Sequence, residues 1–239
     1  MKKQDRKEKF YRIIGIDPND DYTLEDLADN YLRAIHPPFC REDDGEETTI
    51  YRGLRRHLSS LNSTLEYICG EKNPTVLTDT TKYKYNSHQW ILRLKKNMGL
   101  TNILLSKFSG ITGLACKDFE DLRDEVETQK EPGFGNTGIY DFSLRFAYKN
   151  SPHLLPEKFV YLHADPYWSA QYLHYIGEIT APWKRGMYNV ETTAFRTLSG
   201  KLGMEAMDIE HFLCLYHDYI YNLACRKPYY YPLPPRKHK

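Results

Sequence analysis

The 239-residue sequence lacks several features that would assign a function class at once. It contains no run of about 18 apolar residues, so we expect no membrane-spanning helix. Its 33 Lys and Arg residues are balanced by 32 Asp and Glu residues, and the formal net charge is only +1. This balance excludes a protein that binds polyanions through overall charge alone. Any nucleic-acid surface must therefore be a local patch or a site built from backbone amides.

Cysteine is scarce and follows no recognisable pattern. The chain has 5 Cys, an odd number, and no C-x-x-C pair. The basic residues 1–9 are not followed by an apolar run, so a secretory leader is not expected. Free thiols in a reducing compartment are the simplest interpretation, and we expect a cytoplasmic protein without a cofactor.

Motifs of the common enzyme classes are also missing. We find no Walker loop and no G-x-S-x-G elbow. The letters G-x-G-x-x-G run from Gly133 to Gly138, but an acidic helical segment precedes them where a dinucleotide-binding fingerprint needs a strand. His211, Cys214 and His217 lie three residues apart, yet zinc needs a fourth ligand, so we predict no metal site and interpret Cys214 as a core residue. The sequence therefore favours a non-enzymatic protein and leaves an enzyme open.

Helical periodicity is abundant and predicts an all-α fold. Thr23 and Asp26 form a variant of the capping box at the start of one helix. Segment 208–223 is predicted to be one continuous, centrally buried helix because it is apolar on more than one face. Segment 159–162 is β-prone, but the following Pro166 favours a turn or a short helix there. The chain also has 20 Tyr, 10 Phe and 3 Trp, which we interpret mainly as packing between helices.

The expected organisation has four parts. A basic leader (1–9) precedes a small helical unit (10–76), a larger helical domain (77–225) and a Pro/Tyr-rich tail (226–239). The small unit resembles a J-domain over residues 10–74, through a Tyr-x-x-x-Gly opening, a His-Pro turn and a long helix ending in Leu61-Asn62-x-x-Leu65-Glu66-Tyr67. The resemblance implies a helical module that contacts a protein partner. Chaperone stimulation by J-domains depends on His-Pro-Asp, and this chain has His36-Pro37-Pro38 instead.

The most informative stretch is a glycine-rich turn followed at once by a predicted helix at 139–149. It resembles the hairpin of helix-hairpin-helix proteins, in which glycines allow a tight turn and backbone N–H groups grip a phosphate. The resemblance implies a contact with the DNA or RNA backbone, whereas a plain corner between two helices would use the same glycines. The predicted nucleic-acid-binding residues are Gly133, Phe134, Gly135, Asn136, Thr137, Gly138 and Arg145.

Base-excision glycosylases share this hairpin, but the chain departs from their pattern. Their lyase members place a Lys just after the glycines, where this chain has Asn136, and their Asp lies earlier than Asp165. A third possibility is an enzyme with a polar site formed by Asp141, His163 and Asp165, near Arg145. The segments around these residues look like ones in uncharacterised bacterial proteins, a likeness that brings no activity. The alternative function is a protein-interaction module that uses the J-like unit or an aromatic surface.

Overall fold

The structure is a computed structural model that describes residue 11 and residues 15–17, 20–34, 103–104, 106–108 and 110–226, apart from 183 and 185. At 145, 148–150 and 152 only the backbone is described. The chain divides into two compact units, Met1–Ile13 with Pro37–Pro156 and Ile14–His36 with Glu157–Lys239. The predicted boundaries at 9, 76 and 225 stay predictions. The His36-Pro37-Pro38 turn, the long J-like helix and residues 227–239 of the tail lie outside the described residues.

The described residues are mainly helical, which agrees with the expected class. A short antiparallel ribbon of two strands is the exception, and it pairs Phe159 with Glu191 and Tyr161 with Asn189. No helix in the described part of the chain is long and apolar enough to cross a membrane. The helices are α1 (Leu24–Ala34), α2 (Phe119–Thr128), α3 (Asn136–Asn150), α4 (Asp165–Tyr175), α5 (Ala206–Leu215) and α6 (His217–Arg226), and the strands are β1 (Phe159–Tyr161) and β2 (Asn189–Glu191). The described residues also form two 3₁₀ turns (Pro152–Leu154 and Thr192–Ala194) and a π-helix (Arg196–Lys201).

In the first unit, α2 and α3 pack against each other and are joined by the glycine turn. Phe119, Leu122 and Val126, which recur at helical spacing, form the buried face of α2. The helix begins there because the Asp118 side chain accepts a hydrogen bond from the backbone N–H of Asp121 at 2.9 Å. This pairing sets the position of the turn at one end of both helices.

In the second unit, every residue of α5 is buried, so this helix forms the centre. It packs against α4 and β1, and Ser169 on α4 donates a hydrogen bond to the Leu213 carbonyl at 2.6 Å. The predicted cap of α1 is confirmed. The Asp26 N–H donates to Thr23 Oγ1 at 3.1 Å, and the Thr23 N–H donates to Asp26 Oδ2 at 2.8 Å.

Two predictions of local structure were wrong. The turn or short helix expected at 159–162 is largely strand β1, because its backbone pairs with β2 some thirty residues later in the chain. The single helix expected at 208–223 is two helices, α5 and α6, with Tyr216 at the break. The Tyr216 hydroxyl donates to Asn30 Oδ1 on α1 at 2.6 Å, and no local sequence pattern predicts this contact.

Candidate nucleic-acid interface

The glycine turn is tight, and its backbone demands glycine at its first position. Gly133 has a φ of 94°, a left-handed conformation that side chains disfavour. The next residue closes the turn, since the Phe134 N–H donates to the Glu131 carbonyl at 2.9 Å. The connection between α2 and α3 is thereby only seven residues long.

Phe134 and Gly138 hold the turn against the helices. Phe134 is buried, and its ring lies 5.4 Å from the Phe108 ring, centroid to centroid. A Cβ at Gly138 would stand only 2.8 Å from the Phe134 ring, so glycine is required where α3 begins. These two predicted binding residues therefore serve packing in the structure, whereas Gly135 and Asn136 are exposed.

The start of α3 presents backbone N–H groups at an exposed glycine. Gly135 is the N-cap, and it provides no side-chain hydrogen bond to the helix. The Ile139 N–H donates to the Gly135 carbonyl at 3.0 Å, so the N–H groups of Asn136, Thr137 and Gly138 have no carbonyl partner within the helix. The first turn contains no acidic residue. The N-terminus of this 15-residue helix therefore carries a partial positive charge, and no acidic side chain in the first turn offsets it.

The carboxylates that precede the turn are engaged with cations. Glu127 accepts a hydrogen bond from Lys130 Nζ at 2.8 Å, and this bond holds the pKa of Glu127 below its ordinary value. Glu131 forms an ion pair with Lys107. The acidic residues at 118–121 lie at the far end of α2, about 10 to 15 Å from its last residue at a rise of about 1.5 Å per residue. The acidic residues at 118–121 are thus remote from the turn, and Glu127 and Glu131 are paired with cations.

The remaining predicted site residues fall in both units. Arg145 lies on α3, where only its backbone is described. Asp141 is a buried residue of α3 in the first unit, whereas the second unit contains His163, between β1 and α4, and Asp165, the first residue of α4. Their grouping into one polar site stays a prediction. Among the residues that the structure describes, no group of three or more His, Cys, Asp and Glu side chains is arranged to hold a metal ion.

A buried polar network in the second unit escaped prediction. The Tyr31 hydroxyl donates to Asp208 Oδ1 at 3.0 Å and lies 3.1 Å from His211 Nδ1. A hydroxyl has one proton, so with Asp208 as acceptor the His211 ring must carry its proton on Nδ1 and donate to the Tyr31 oxygen. Burial, and next the charge of Asp208, raises the pKa of Tyr31 well above its ordinary value, so the hydroxyl stays a donor. The sequence feature that could have indicated this network is the presence of Asp208, Glu210 and His211 in an otherwise apolar helix.

Comparisons with protein families, with curated proteins and with solved structures yield no match to this chain. The site is therefore judged on its own geometry.

Proposed function

We propose that this protein contacts the phosphate backbone of DNA or RNA through its 133–138 turn, as a helix-hairpin-helix-like module without catalysis. One observation carries the proposal, namely the uncapped, solvent-exposed start of α3 at Gly135. Backbone N–H groups that point outward at a helix N-terminus are suited to a phosphate oxygen. Such a contact reads no base directly, so the proposal covers both nucleic acids.

Neither the backbone conformation nor the packing requires glycine at 135. Gly133 is required by its backbone and Gly138 by its contact with Phe134. Neither constraint applies to Gly135, because its φ is −87° and an added Cβ would meet no atom within 4 Å. Ser, Asp or Asn at this N-cap would stabilise the helix more than glycine does by bonding the amides. Glycine leaves those amides accessible, as an anion site requires.

The test is a series of substitutions at Gly135, with binding measured by fluorescence anisotropy on labelled single- and double-stranded DNA and RNA at two salt concentrations. Gly135→Asp both occupies the amides and adds a negative charge, so we expect binding to weaken by about tenfold or more. Gly135→Asn occupies the amides without charge and should give an intermediate loss. Gly135→Ala leaves the amides open and is the matched control, with binding close to that of the wild type.

Folding and binding should move in opposite directions in this series. Asp and Asn are good N-cap residues, so Gly135→Asp should unfold no more easily than the wild type in thermal denaturation. A loss of binding therefore cannot be attributed to a damaged helix. Equal binding by all four proteins, or no binding at low salt, would refute the proposal and direct the search to a protein partner by pull-down.

A cytoplasmic location belongs to the same proposal. Cys116 and Cys225 form no disulfide in the described part of the chain, as expected of thiols in a reducing compartment. Alkylation of the protein in freshly lysed cells, followed by peptide mapping, should find these thiols reduced.

A further inference from the structure

A row of aromatic rings, the aromatic ladder, leads from the core of the second unit to its surface beside the β1–β2 ribbon. Tyr161 stacks on His163 with centroids 6.4 Å apart and an interplanar angle of 28°. His163 stacks in turn on Tyr188 at 6.0 Å and 29°, and Tyr167 is tilted against Tyr188 at 6.2 Å. Tyr161 is buried and Tyr188 is 54% exposed, so the row ends in an open ring.

The backbone holds this outer ring in place. The Leu162 N–H donates to the Tyr188 carbonyl at 2.7 Å, which extends the ribbon by one bond beyond the pair of Tyr161 and Asn189. Ala164, with a φ of 55°, turns the chain from β1 into α4, the helix that carries Tyr167. A ring supported by a second ring and a fixed backbone loses little freedom when a flat ligand stacks on it.

An exposed lysine lies on the segment that carries Tyr188. The described part of segment 182–190 contains Lys184 and no acidic residue, whereas Glu157, Asp165 and Glu191 border the segments of the inner rings. Lys184 is exposed, and its carbonyl accepts a hydrogen bond from the Met187 N–H at 3.2 Å, so a single turn separates it from Tyr188. An open aromatic ring with an exposed ammonium group one turn away is the combination that binds single strands, in which bases stack and phosphates follow the positive charge.

We infer that Tyr188 is a stacking platform for an unpaired base of single-stranded nucleic acid, with Lys184 beside the adjoining phosphate. This inference deepens the proposed function, on which it rests for the ligand class, and names single strands as the ligand. Bases in a duplex already stack on each other and leave no face for the ring. Among the described residues of the second unit, no large aliphatic side chain is exposed, whereas the buried centre of a protein interface is predominantly apolar with few charges.

The experiment compares full-length variants on two labelled strands of about 20 nucleotides, an oligothymidylate and an abasic strand of equal charge. Tyr188→Ala should weaken oligothymidylate binding by about 5- to 150-fold, the effect of losing one base–aromatic stack. Tyr188→Phe keeps the ring and should bind within about twofold of the wild type. Leu114→Ala, which removes a 90% exposed side chain in the first unit, is the matched control and should change nothing.

The abasic strand separates stacking from charge. Tyr188→Ala should bind it as the wild type does, since no base is present to stack. If Tyr188→Ala binds oligothymidylate like the wild type, or loses the abasic strand to the same extent, the inference is overturned. If Gly135→Asp loses oligothymidylate binding and Tyr188→Ala does not, the result supports the proposed function and refutes the stacking platform. If Tyr188→Ala loses oligothymidylate binding and Gly135→Asp does not, the result supports the stacking platform and refutes the turn as the phosphate site.

Discussion

Removal of the Tyr31 hydroxyl should destabilise the protein strongly, although no packing is lost. Tyr31→Phe keeps the ring and its edge contact with Phe212, whose centroid lies 5.9 Å away. It removes the hydrogen bond to Asp208 at 3.0 Å and the contact with His211 at 3.1 Å. A buried hydrogen bond to a charged group contributes about 1.5–3 kcal/mol. We therefore expect the free energy of unfolding to fall by about 2–3 kcal/mol.

Urea denaturation followed by circular dichroism measures this change, because a lower midpoint at constant slope reports stability alone. Tyr22→Phe is the matched control. Its hydroxyl accepts a hydrogen bond from the Asp17 N–H at 2.9 Å near the surface, and its loss should change the free energy of unfolding by less than about 0.5 kcal/mol. If Tyr31→Phe shifts the midpoint no more than Tyr22→Phe does, the reasoning is refuted. The desolvation of Asp208 would then cancel the gain from its bond.

Two further predictions concern the first unit. Burial, followed by a hydrogen bond to a carboxylate, raises the pKa of the Cys116 thiol to about 11, so at about pH 8 iodoacetamide should label it far more slowly than exposed Cys225. The labelling rate of Cys116, read by peptide mapping, should keep rising until about pH 11, and equal rates for both thiols at pH 8 would contradict this. Gly138→Ala should destabilise by about 1–3 kcal/mol in urea denaturation, because its Cβ would overlap the ring of buried Phe134. Gly110→Ala, whose Cβ would lie 3.7 Å from its nearest neighbour, is the control and should cost less than about 1 kcal/mol.

Local features of the fold were predictable because their physical causes lie within a few residues of sequence. The cap between Thr23 and Asp26 spans three residues, and both partners are visible in the sequence. The same holds for the buried stripe of α2, in which Phe119, Leu122 and Val126 recur at helical spacing. The turn between α2 and α3 could also be located from the sequence, because its glycines lie directly between two helical patterns.

Features set by distant contacts were not predictable from the same patterns. Segment 159–162 forms a strand only because 189–191 lies beside it, and its own residues do not specify that partner. The break between α5 and α6 falls at Tyr216, where the sequence shows neither glycine nor proline. The partners that fix Tyr216 and Asp208 are Asn30 and Tyr31, both on α1 and more than 170 residues away. The sequence could not single out Tyr188 as a stacking residue, because its contact with His163 depends on the pairing of β1 with β2.

The three glycines of the turn show how far the sequence argument for the binding site could reach. All three look alike in the sequence, yet Gly133 is fixed by its left-handed backbone and Gly138 by the Phe134 ring. Any tight corner between two helices would need these two, so they carry no information about a ligand. Gly135 meets no neighbour and has an ordinary backbone, while a polar residue there would stabilise α3. Gly135 is therefore the one of the three at which function can be separated from fold, and a substitution that improves the helix cap while abolishing binding would do so.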